Sequence, residues 1–385
     1  MDELFFTEEH VMLRDMVRDF AKNEVAPVAR ELDRLGKFPK DLIKQMGELG
    51  LMGIPIPEKY GGSGMDTVAY ATAVLELAKV DASVAITMAA HTSLGTVPIV
   101  LAGTDEQKEE YVPQLASGAI LGAFGLTEPG AGSDSGATQT TAVKNGDSFV
   151  VNGSKIFITN AGVAGVLNFT AQVIEDGEKK GIGAFTISTK TPGLKIEPKE
   201  RKMGWRASDT RQIYFEDLHV SEKEMLGSPA DGFKTFLKTL VGGRISIGAL
   251  AVGTAEGAYK KALRYSTQRK AFGKEIHRFQ PVGFKLADMA TQIEAAKLLV
   301  YHAAWLKDQG KDVAKEAAMA KLFASEVAMN VTTEAIQIHG GYGYVAEYDV
   351  ERFFRDAKIL EIGEGTSEIQ RLLISRKIIK EIVNE

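Results

Sequence analysis

One carboxylate near the end of the chain stands between two glycines, immediately before a predicted helix. The stretch EIGEGTSEIQR, residues 361–371, places Glu364 between Gly363 and Gly365. Glycines permit unusual backbone angles and the close approach of another molecule. The alternative is a solvated glutamate in a surface turn, and this stretch by itself favours that simpler interpretation.

The residues that follow indicate which element positions this loop. Ser367, with Gln370 three residues later, has the pattern of a capping box, which begins a helix. Apolar residues then recur at helical spacing from position 369 to position 383. We therefore predict a helix that begins with a cap at Ser367 and leaves Glu364 in the non-helical segment before it.

Hydrophobic periodicity divides the 385 residues into a helical, a β-rich and a second helical part. Helix-start signals in the first part include Thr7 and the capping box TDEQ at 104–107. From about residue 122, short runs of β-branched and aromatic residues alternate with turns, and Asn145-Gly146 predicts a hairpin. Three long helical patterns follow, and helices of such length usually pack as a bundle; they cover 233–268, 280–309 and 312–338.

The predicted fold class is therefore α+β with several domains. An N-terminal α-helical domain covers 1–121, and a middle antiparallel β-barrel or sandwich covers 122–230. A C-terminal four-helix bundle covers 231–385.

Composition excludes several classes of protein. The formal net charge of -5 argues against general binding to nucleic acid or to an anionic membrane. The absence of cysteine excludes disulfides and thiolate catalysis. The start MDELFFTEEH lacks the pattern of a secretory signal, and no stretch suggests the roughly 18 apolar residues of a membrane span. We therefore expect a cytoplasmic protein without membrane insertion.

Three loops carry groups suited to a phosphate or a flat ring. FGLTEPGAGSDSG, 124–136, offers hydroxyl and backbone N–H donors but leads into a strand, which excludes a Rossmann site. TQRKAFGKEIHRFQ, 267–280, contains a basic cluster, and arginine binds phosphate through two N–H groups. QIHGGYGY, 337–344, has a pair of glycines that a flat ring can approach. Taken singly, these loops are equally explained as a domain junction, a solvated linker and a helix C-cap. His339 stands alone, so no metal site is predicted.

Seven segments taken together resemble the acyl-CoA dehydrogenase family, of the short-, medium- or branched-chain type, over essentially the whole chain. In chain order they are GLTEPGAGSD, KIFITNAG, MGWRASDT, RKAFGKEI, QIHGGYGY, ERFFRDAKI and EIGEGTSEIQR. The resemblance implies the three-domain fold of that family, a homotetramer built as a dimer of dimers, and FAD as the cofactor.

The resemblance also implies which residues hold FAD. Those lining the flavin are Phe124, Leu126, Thr127, Gly132, Ser133, Phe157, Ile158 and Thr159. Those holding the pyrophosphate and adenosine across a subunit interface are Arg269, Phe272, Gln280, Gln337, Gly340 and Gly341, and the site is completed by Thr366 and Glu368.

Glu364 matches the catalytic base of the family, which removes the α-proton of an acyl-CoA while hydride passes from the β-carbon to FAD. The implied substrate contacts are Ser133, Arg244 and Gly365. Some relatives carry the base on a helix at the position of Gly243, so Glu364 is the candidate here. The resemblance further implies electron transfer to an electron-transfer flavoprotein and a role in fatty acid β-oxidation.

Two other functions stay open at this point. A flavin oxidase on the same fold, such as an acyl-CoA oxidase, would deliver electrons to oxygen. A non-catalytic helical scaffold would need neither Glu364 nor a flavin pocket. Gly363 has two explanations as well: it makes room for a bulky acyl group where many relatives have tyrosine, or it allows a positive φ angle.

Overall fold

The N-terminal part of the structure is helical. The computed structural model of the chain describes residues 2–383. The first helices are α1 (Asp2–Phe5), α2 (Glu8–Phe20), α3 (Ala26–Leu35), α4 (Lys40–Glu48), α5 (Thr67–Ala78), α6 (Ala82–Ala89), α7 (Val97–Ala102) and α8 (Asp105–Ala116). The hydroxyl of Thr7 caps α2 and accepts from the backbone N–H of His10 at 3.5 Å, and Thr104 caps α8 in a reciprocal pair with Gln107. Both predicted helix starts are confirmed.

A mixed β-sheet follows. Its strands are β1 (Leu121–Gly125), β2 (Thr141–Asn145), β3 (Ser148–Thr159), β4 (Ala164–Glu175), β5 (Glu178–Ser188), β6 (Leu194–Ile196) and β7 (Thr210–Ser221). They lie in the order β1-β4-β2-β3-β7-β6, with β5 also paired to β4. The predicted hairpin joins β2 to β3, with Asn145 paired to Ser148.

The pairing in this sheet corrects one detail of the predicted β-domain. Both β1 and β2 run parallel to β4, so the sheet is not purely antiparallel. Turn signals in a sequence identify only those pairs of strands that a hairpin connects. The parallel partners are distant in sequence, and short apolar runs carry no information about which of them pair.

The C-terminal part returns to long helices. They are α9 (Gly232–Gln268), α10 (Gln280–Asp308), α11 (Ala314–His339), α12 (Val350–Ala357) and α13 (Ser367–Val383). A two-stranded hairpin of β8 (Lys270–Ala271) and β9 (Lys274–Glu275) separates α9 from α10. The three long helical patterns are confirmed within a residue or two.

The N-terminal helices and the C-terminal helices share one apolar core. Val74 of α5, Leu250 of α9, Val300 of α10 and Val331 of α11 are all buried within it. A separate core fills the β-sheet domain, around Phe169. The first and third parts of the chain therefore pack as one helical body, while 1–121, 122–230 and 231–385 remain our proposal for the domain limits.

Two helical stretches within residues 2–383, at 82–102 and Gly232–Gln268, reach the length and apolar composition of a membrane span. The expectation that no stretch of the chain suggests a membrane span is therefore wrong on length and on apolar composition. In the fold, 78% and 72% of their most apolar windows are buried. Burial against other helices is the ordinary reason for an apolar core helix, so this signal is weak.

Candidate active site

Glu364 lies in a strained loop between Glu361 and the start of α13. Its φ angle is 53°, and that of Gly365 is 95°. A non-glycine residue with positive φ costs on the order of 1–3 kcal/mol and persists only where the surroundings impose it. Gly363 does not have a positive φ. The backbone freedom that glycine supplies is therefore used at Gly365, and the positive-φ explanation of Gly363 is wrong.

Two buried side chains hold the loop at one carbonyl. The backbone oxygen of Gly365 accepts hydrogen bonds from Lys321 Nζ and from Gln370 Nε2, each at 2.8 Å. Gln370 Nε2 also lies 3.3 Å from the carbonyl oxygen of Glu364. This three-way contact ties the loop to both α11 and α13.

The cap of α13 is one residue earlier than predicted. Thr366 Oγ1 accepts from the backbone N–H of Ile369 at 3.3 Å, whereas Ser367 is already the first helical residue. The pattern misled because Gln370, expected to complete a capping box with Ser367, turns back to the loop carbonyls instead. Tertiary contact thus decides what the side chain of Gln370 binds.

The carboxylate of Glu364 lies directly over Gly243 of α9. A methyl group on Gly243 would overlap Glu364 Oε2, so the absence of a side chain there makes the space for the carboxylate. Among the residues that the structure describes, Oε2 is buried and has no hydrogen-bond partner. Burial raises the pKa of Glu364 to about 7, while the charges of Lys321 and Arg244 act in the opposite direction.

Arg244, Tyr70 and Lys321 surround this carboxylate. Arg244 is only 6% exposed, its Nε has no partner among residues 2–383, and burial lowers its pKa. The hydroxyl of Tyr70 donates to the carbonyl of Ala89 at 2.9 Å, and burial raises its pKa. Arg244 was predicted, whereas Tyr70 and Lys321 were missed. Lys321 could have been found, since it lies on the alanine-rich buried face of α11.

A second group of predicted residues lies at the edge of the β-sheet, where Lys155 fixes the loop after β1. Lys155 Nζ, fully buried, donates to the carbonyl of Leu126 at 3.2 Å and to Glu128 Oε1 at 2.7 Å. Glu128 in turn accepts from the backbone N–H groups of Gln139 and Thr140. The loop that carries Thr127, Gly132 and Ser133 is therefore anchored on β3.

A bulge at the end of β3 exposes one aromatic ring. The register shifts between Lys155 and Ile158, and Phe157 has a φ of 61°. As a result Phe157 is 64% exposed while Ile158 is buried in the β-sheet core. Bulges redirect side chains in this way. Phe157 thus presents its ring, whereas Ile158 has only backbone to offer a ligand.

The other residues of this group differ in what they present. Gly132 and Ser133 are exposed, and Leu126 is buried. Phe124 stacks on Phe236 of α9 with ring centroids 4.1 Å apart. The group therefore joins the β-sheet to the start of the C-terminal helices.

A third group of predicted residues lines a cavity of about 500 Å³. Arg269, Gln337, Gly340 and Gly341 line it together with Tyr342, whose ring lies 5.4 Å from the guanidinium of Arg269. A side chain at either glycine would meet nothing within 4 Å, so the cavity floor is open to a ligand. None of the predicted β-domain residues lines this cavity.

Phe272 and Gln280, predicted with this third group, are not part of the cavity lining. Phe272, at the β8–β9 turn, is 95% exposed with a φ of 47°. Gln280 is the first residue of α10. Thr366 caps α13 and Glu368 lies in its first turn, so within one chain both are close in sequence to Glu364.

Three family models match consecutive parts of the chain. They describe the N-terminal, middle and C-terminal domains of acyl-CoA dehydrogenase, over residues 7–119, 123–218 and 230–379. The chain belongs to the acyl-CoA dehydrogenase family. The resemblance and the three-part fold class predicted from the sequence are thereby confirmed.

Named relatives agree with this family. The chain is 50% identical to an acyl-CoA dehydrogenase, short-chain specific, from Clostridium acetobutylicum, over 97% of this chain and 99% of the relative. A solved structure described as the electron transferring flavoprotein of Acidaminococcus fermentans contains a chain 47% identical to this one, with a TM-score of 0.94 over 97% and 98% of the two chains. An acyl-CoA dehydrogenase from Bacillus anthracis, solved in complex with FAD, is 37% identical with a TM-score of 0.92, over 98% of this chain and 69% of that one.

The acyl-CoA dehydrogenase site fits FAD by the chemistry of its donors. The ring of Phe157 is exposed next to an anchored loop with a hydroxyl at Thr127 and an uncrowded glycine at Gly132. The 500 Å³ cavity supplies Arg269 and an open glycine floor, which suit a phosphate and a flat base.

Proposed function

We propose that this acyl-CoA dehydrogenase converts an acyl-CoA thioester to the trans-2-enoyl-CoA, with Glu364 as the base that removes the α-proton. The observation that carries this proposal is the buried carboxylate oxygen without a partner, held over Gly243. A structural glutamate would be paired at such a depth. A carboxylate whose pKa is raised to about 7 is matched to proton abstraction near neutral pH.

The α-proton of a thioester is weakly acidic, so its removal needs groups that stabilise the charge developing on the thioester oxygen. The backbone N–H of Glu364 donates to no group among residues 2–383, which leaves it available to that oxygen. The Nε of Arg244 is also buried and has no hydrogen-bond partner among the described residues. Gly365 and Ser133 complete the proposed substrate contacts.

Bound FAD supplies the acceptor for the hydride from the β-carbon. We assign the flavin to the β-sheet group of Phe124, Leu126, Thr127, Gly132, Ser133, Phe157, Ile158 and Thr159. We assign the pyrophosphate and adenosine to Arg269, Phe272, Gln280, Gln337, Gly340 and Gly341, with Thr366 and Glu368. Phe157 would give the flavin an aromatic face, and the anchored backbone of Leu126 would fix its edge.

We infer a homotetramer because the two groups of proposed FAD residues do not line one common cavity in the single chain. The 500 Å³ cavity shares no lining residue with the β-sheet group. A neighbouring subunit would bring the cavity, and the exposed Phe272, to the other end of the cofactor. The tetramer and a cytoplasmic location are parts of this proposal.

The 47% identical chain in a solved structure described as an electron transferring flavoprotein supports such a flavoprotein as the electron acceptor. Homology to a short-chain enzyme supports a short acyl group and a role in fatty acid β-oxidation. Gly363 adds room, because a methyl group there would meet only Ile359, at 3.4 Å. We propose that the pocket also accepts branched acyl groups.

The visible spectrum of the purified protein tests the cofactor, and anaerobic addition of acyl-CoA thioesters of graded size tests the reaction. We expect a yellow protein whose flavin absorbance is lost on adding butyryl-CoA. Re-oxidation should be much faster with an electron-transfer flavoprotein than with oxygen. A protein that stays colourless after FAD is added contradicts the proposal, and stoichiometric peroxide at the turnover rate would assign an oxidase instead.

A further inference from the structure

Lys321 is a buried charge beneath the loop of Glu364. It lies on α11 among Ala317, Ala320 and Ala324, and like them it is fully buried. Burying an ammonium group is unfavourable unless it is paired and hydrogen-bonded. Among residues 2–383 it forms no ion pair, and its hydrogen-bond partner is the uncharged carbonyl of Gly365, at 2.8 Å. Its packing therefore does not explain why a lysine is there.

The carbonyl that Lys321 binds is the point where the loop is most constrained. Glu364 and Gly365 both have positive φ angles, of 53° and 95°. Gln370 supplies the only other hydrogen bond to this carbonyl among the described residues. Because a strained backbone is kept only by its surroundings, the two donors keep the Glu364 carboxylate over Gly243.

Charged and titratable groups face Glu364 from several elements. Lys321 of α11 and Arg244 of α9 are the cations, Tyr70 of α5 is an uncharged phenol, and Glu361 and Glu368 flank the loop. Lys321 exerts the larger effect of the two cations and lowers the pKa of Glu364, against the effect of burial. Burial in turn lowers the pKa of Lys321 to about 8, while Glu364 raises it.

We propose that Lys321 is a positioning residue for the catalytic base: it fixes the Gly365 carbonyl and supplies a positive charge to the surroundings of the Glu364 carboxylate. This inference rests on the proposed function of Glu364. The side chain of Lys321 then has two roles. Its hydrogen bond sets where the carboxylate of Glu364 lies, and its charge sets the pH at which that carboxylate ionises.

Substitutions can separate these two roles. Lys321→Met removes the hydrogen bond and the charge, Lys321→Gln keeps a donor without the charge, and Lys321→Arg keeps both. Lys202→Met is the matched control, because Lys202 is another lysine with a pKa lowered by burial to about 8 and donates to a backbone carbonyl, that of Ser208, at 2.7 Å.

The rate of flavin reduction by butyryl-CoA is measured anaerobically in single turnovers across pH, on preparations matched for flavin content. Loss of an opposite charge close to a carboxylate raises its pKa by about one unit or more. Lys321→Met and Lys321→Gln should therefore move the midpoint of the pH profile upward by about one pH unit or more. The rate of flavin reduction should correspondingly fall about tenfold at pH values below the midpoint, and by less at pH values above it. Lys321→Arg and Lys202→Met should keep the wild-type midpoint.

A second measurement needs no turnover. The titration of Glu364 is followed as the infrared carboxyl band that Glu364→Gln lacks, and it should shift in the same variants. If Lys321→Met does not fold, Lys321→Gln still tests the charge. An unchanged midpoint of the pH profile in both Lys321→Met and Lys321→Gln would overturn the inference. So would a rate of flavin reduction that falls equally at every pH and falls likewise in Lys202→Met. Wild-type protein that fails to reduce its flavin would contradict the proposed function, while the infrared titration would still decide the role of Lys321.

Discussion

At the scale of single residues, Glu364 combines three features that are unfavourable for stability. Its backbone is in the left-handed region, one carboxylate oxygen is buried, and that oxygen has no partner among the described residues. A buried unsatisfied acceptor costs about 1–3 kcal/mol. The surface-turn interpretation is therefore wrong, because a solvated glutamate would not have a buried carboxylate oxygen without a partner.

The pH dependence of the reaction follows from the burial of Glu364. Its pKa is raised to about 7, so the carboxylate that we propose as the base is protonated below this pH and ionised above it. Single-turnover rates of flavin reduction should rise with pH, with a midpoint near 7. A midpoint near the ordinary glutamate value, about 4.3, would mean that the carboxylate is solvated in the working enzyme.

Two adjacent glycines of α9 provide a matched test of where the carboxylate lies. Gly243→Ala would place a methyl group on Glu364 Oε2, whereas a methyl group at Gly242 meets only the Lys307 side chain, at 3.9 Å. Flavin reduction should fall by about 100-fold in Gly243→Ala, toward the loss of a general base. Both substitutions favour the helix equally. Equal rates in the two variants would show that Glu364 does not occupy this space.

At the scale of elements, local signals predicted what local contacts decide. Thr7 and Thr104 cap their helices as expected, because a cap depends on residues within one turn. The cap of α13 was misplaced at Ser367 because Gln370 binds loop carbonyls across the site. The parallel pairing of β1 with β4 was likewise not predictable from neighbouring residues.

In the candidate site, too, residues within a local motif were predicted, whereas residues that tertiary packing brings in were not. Glu364 and Gly243 were identified from short motifs, through a family resemblance. Lys321 and Tyr70 stand in helices without a motif, and only the packing of α5, α9 and α11 brings them to the carboxylate. A lysine within an alanine-rich apolar face is nevertheless a signal that sequence reading can use.

The anchoring of the β1 loop gives a prediction at this scale. Lys155→Met should leave Glu128 buried without its cation, which typically destabilises by about 3–5 kcal/mol. We expect weaker FAD retention, because Leu126 and Glu128 lose their hydrogen bonds to Lys155 of β3. Flavin content after gel filtration measures this. Lys180→Met, at an exposed pair with Glu178 in β5, is the control. Full flavin content in Lys155→Met would contradict the proposal that the anchored loop after β1 holds the flavin.

At the scale of the whole molecule, ion pairs join the segments that frame the site. Arg352 of α12 binds Asp81, just before α6, at 3.0 Å, and Arg355 binds Asp33 of α3 at 2.7 Å. Asp356 accepts from the backbone N–H of Trp205, in the β-domain, at 2.6 Å. The α12 segment, which precedes the loop of Glu364, therefore joins the N-terminal helices to the β-domain.

Assembly is the second property at this scale. Arg269→Ala removes the cation from the 500 Å³ cavity. If a neighbouring subunit uses this cavity for the same FAD, the variant should lose both flavin and tetramer. Flavin absorbance and light-scattering mass are measured together. Wild-type flavin content at wild-type mass would contradict the shared site.

The proton transfer from substrate to Glu364 is the central claim, and one measurement tests it most directly. Glu364→Gln and wild-type protein, each with its flavin bound, are mixed anaerobically with butyryl-CoA, and loss of flavin absorbance is followed in a single turnover. General-base catalysis contributes about 100- to 10,000-fold. We predict unchanged flavin content and thermal stability with a loss of rate in this range. Reduction at a near wild-type rate would show that another group removes the proton.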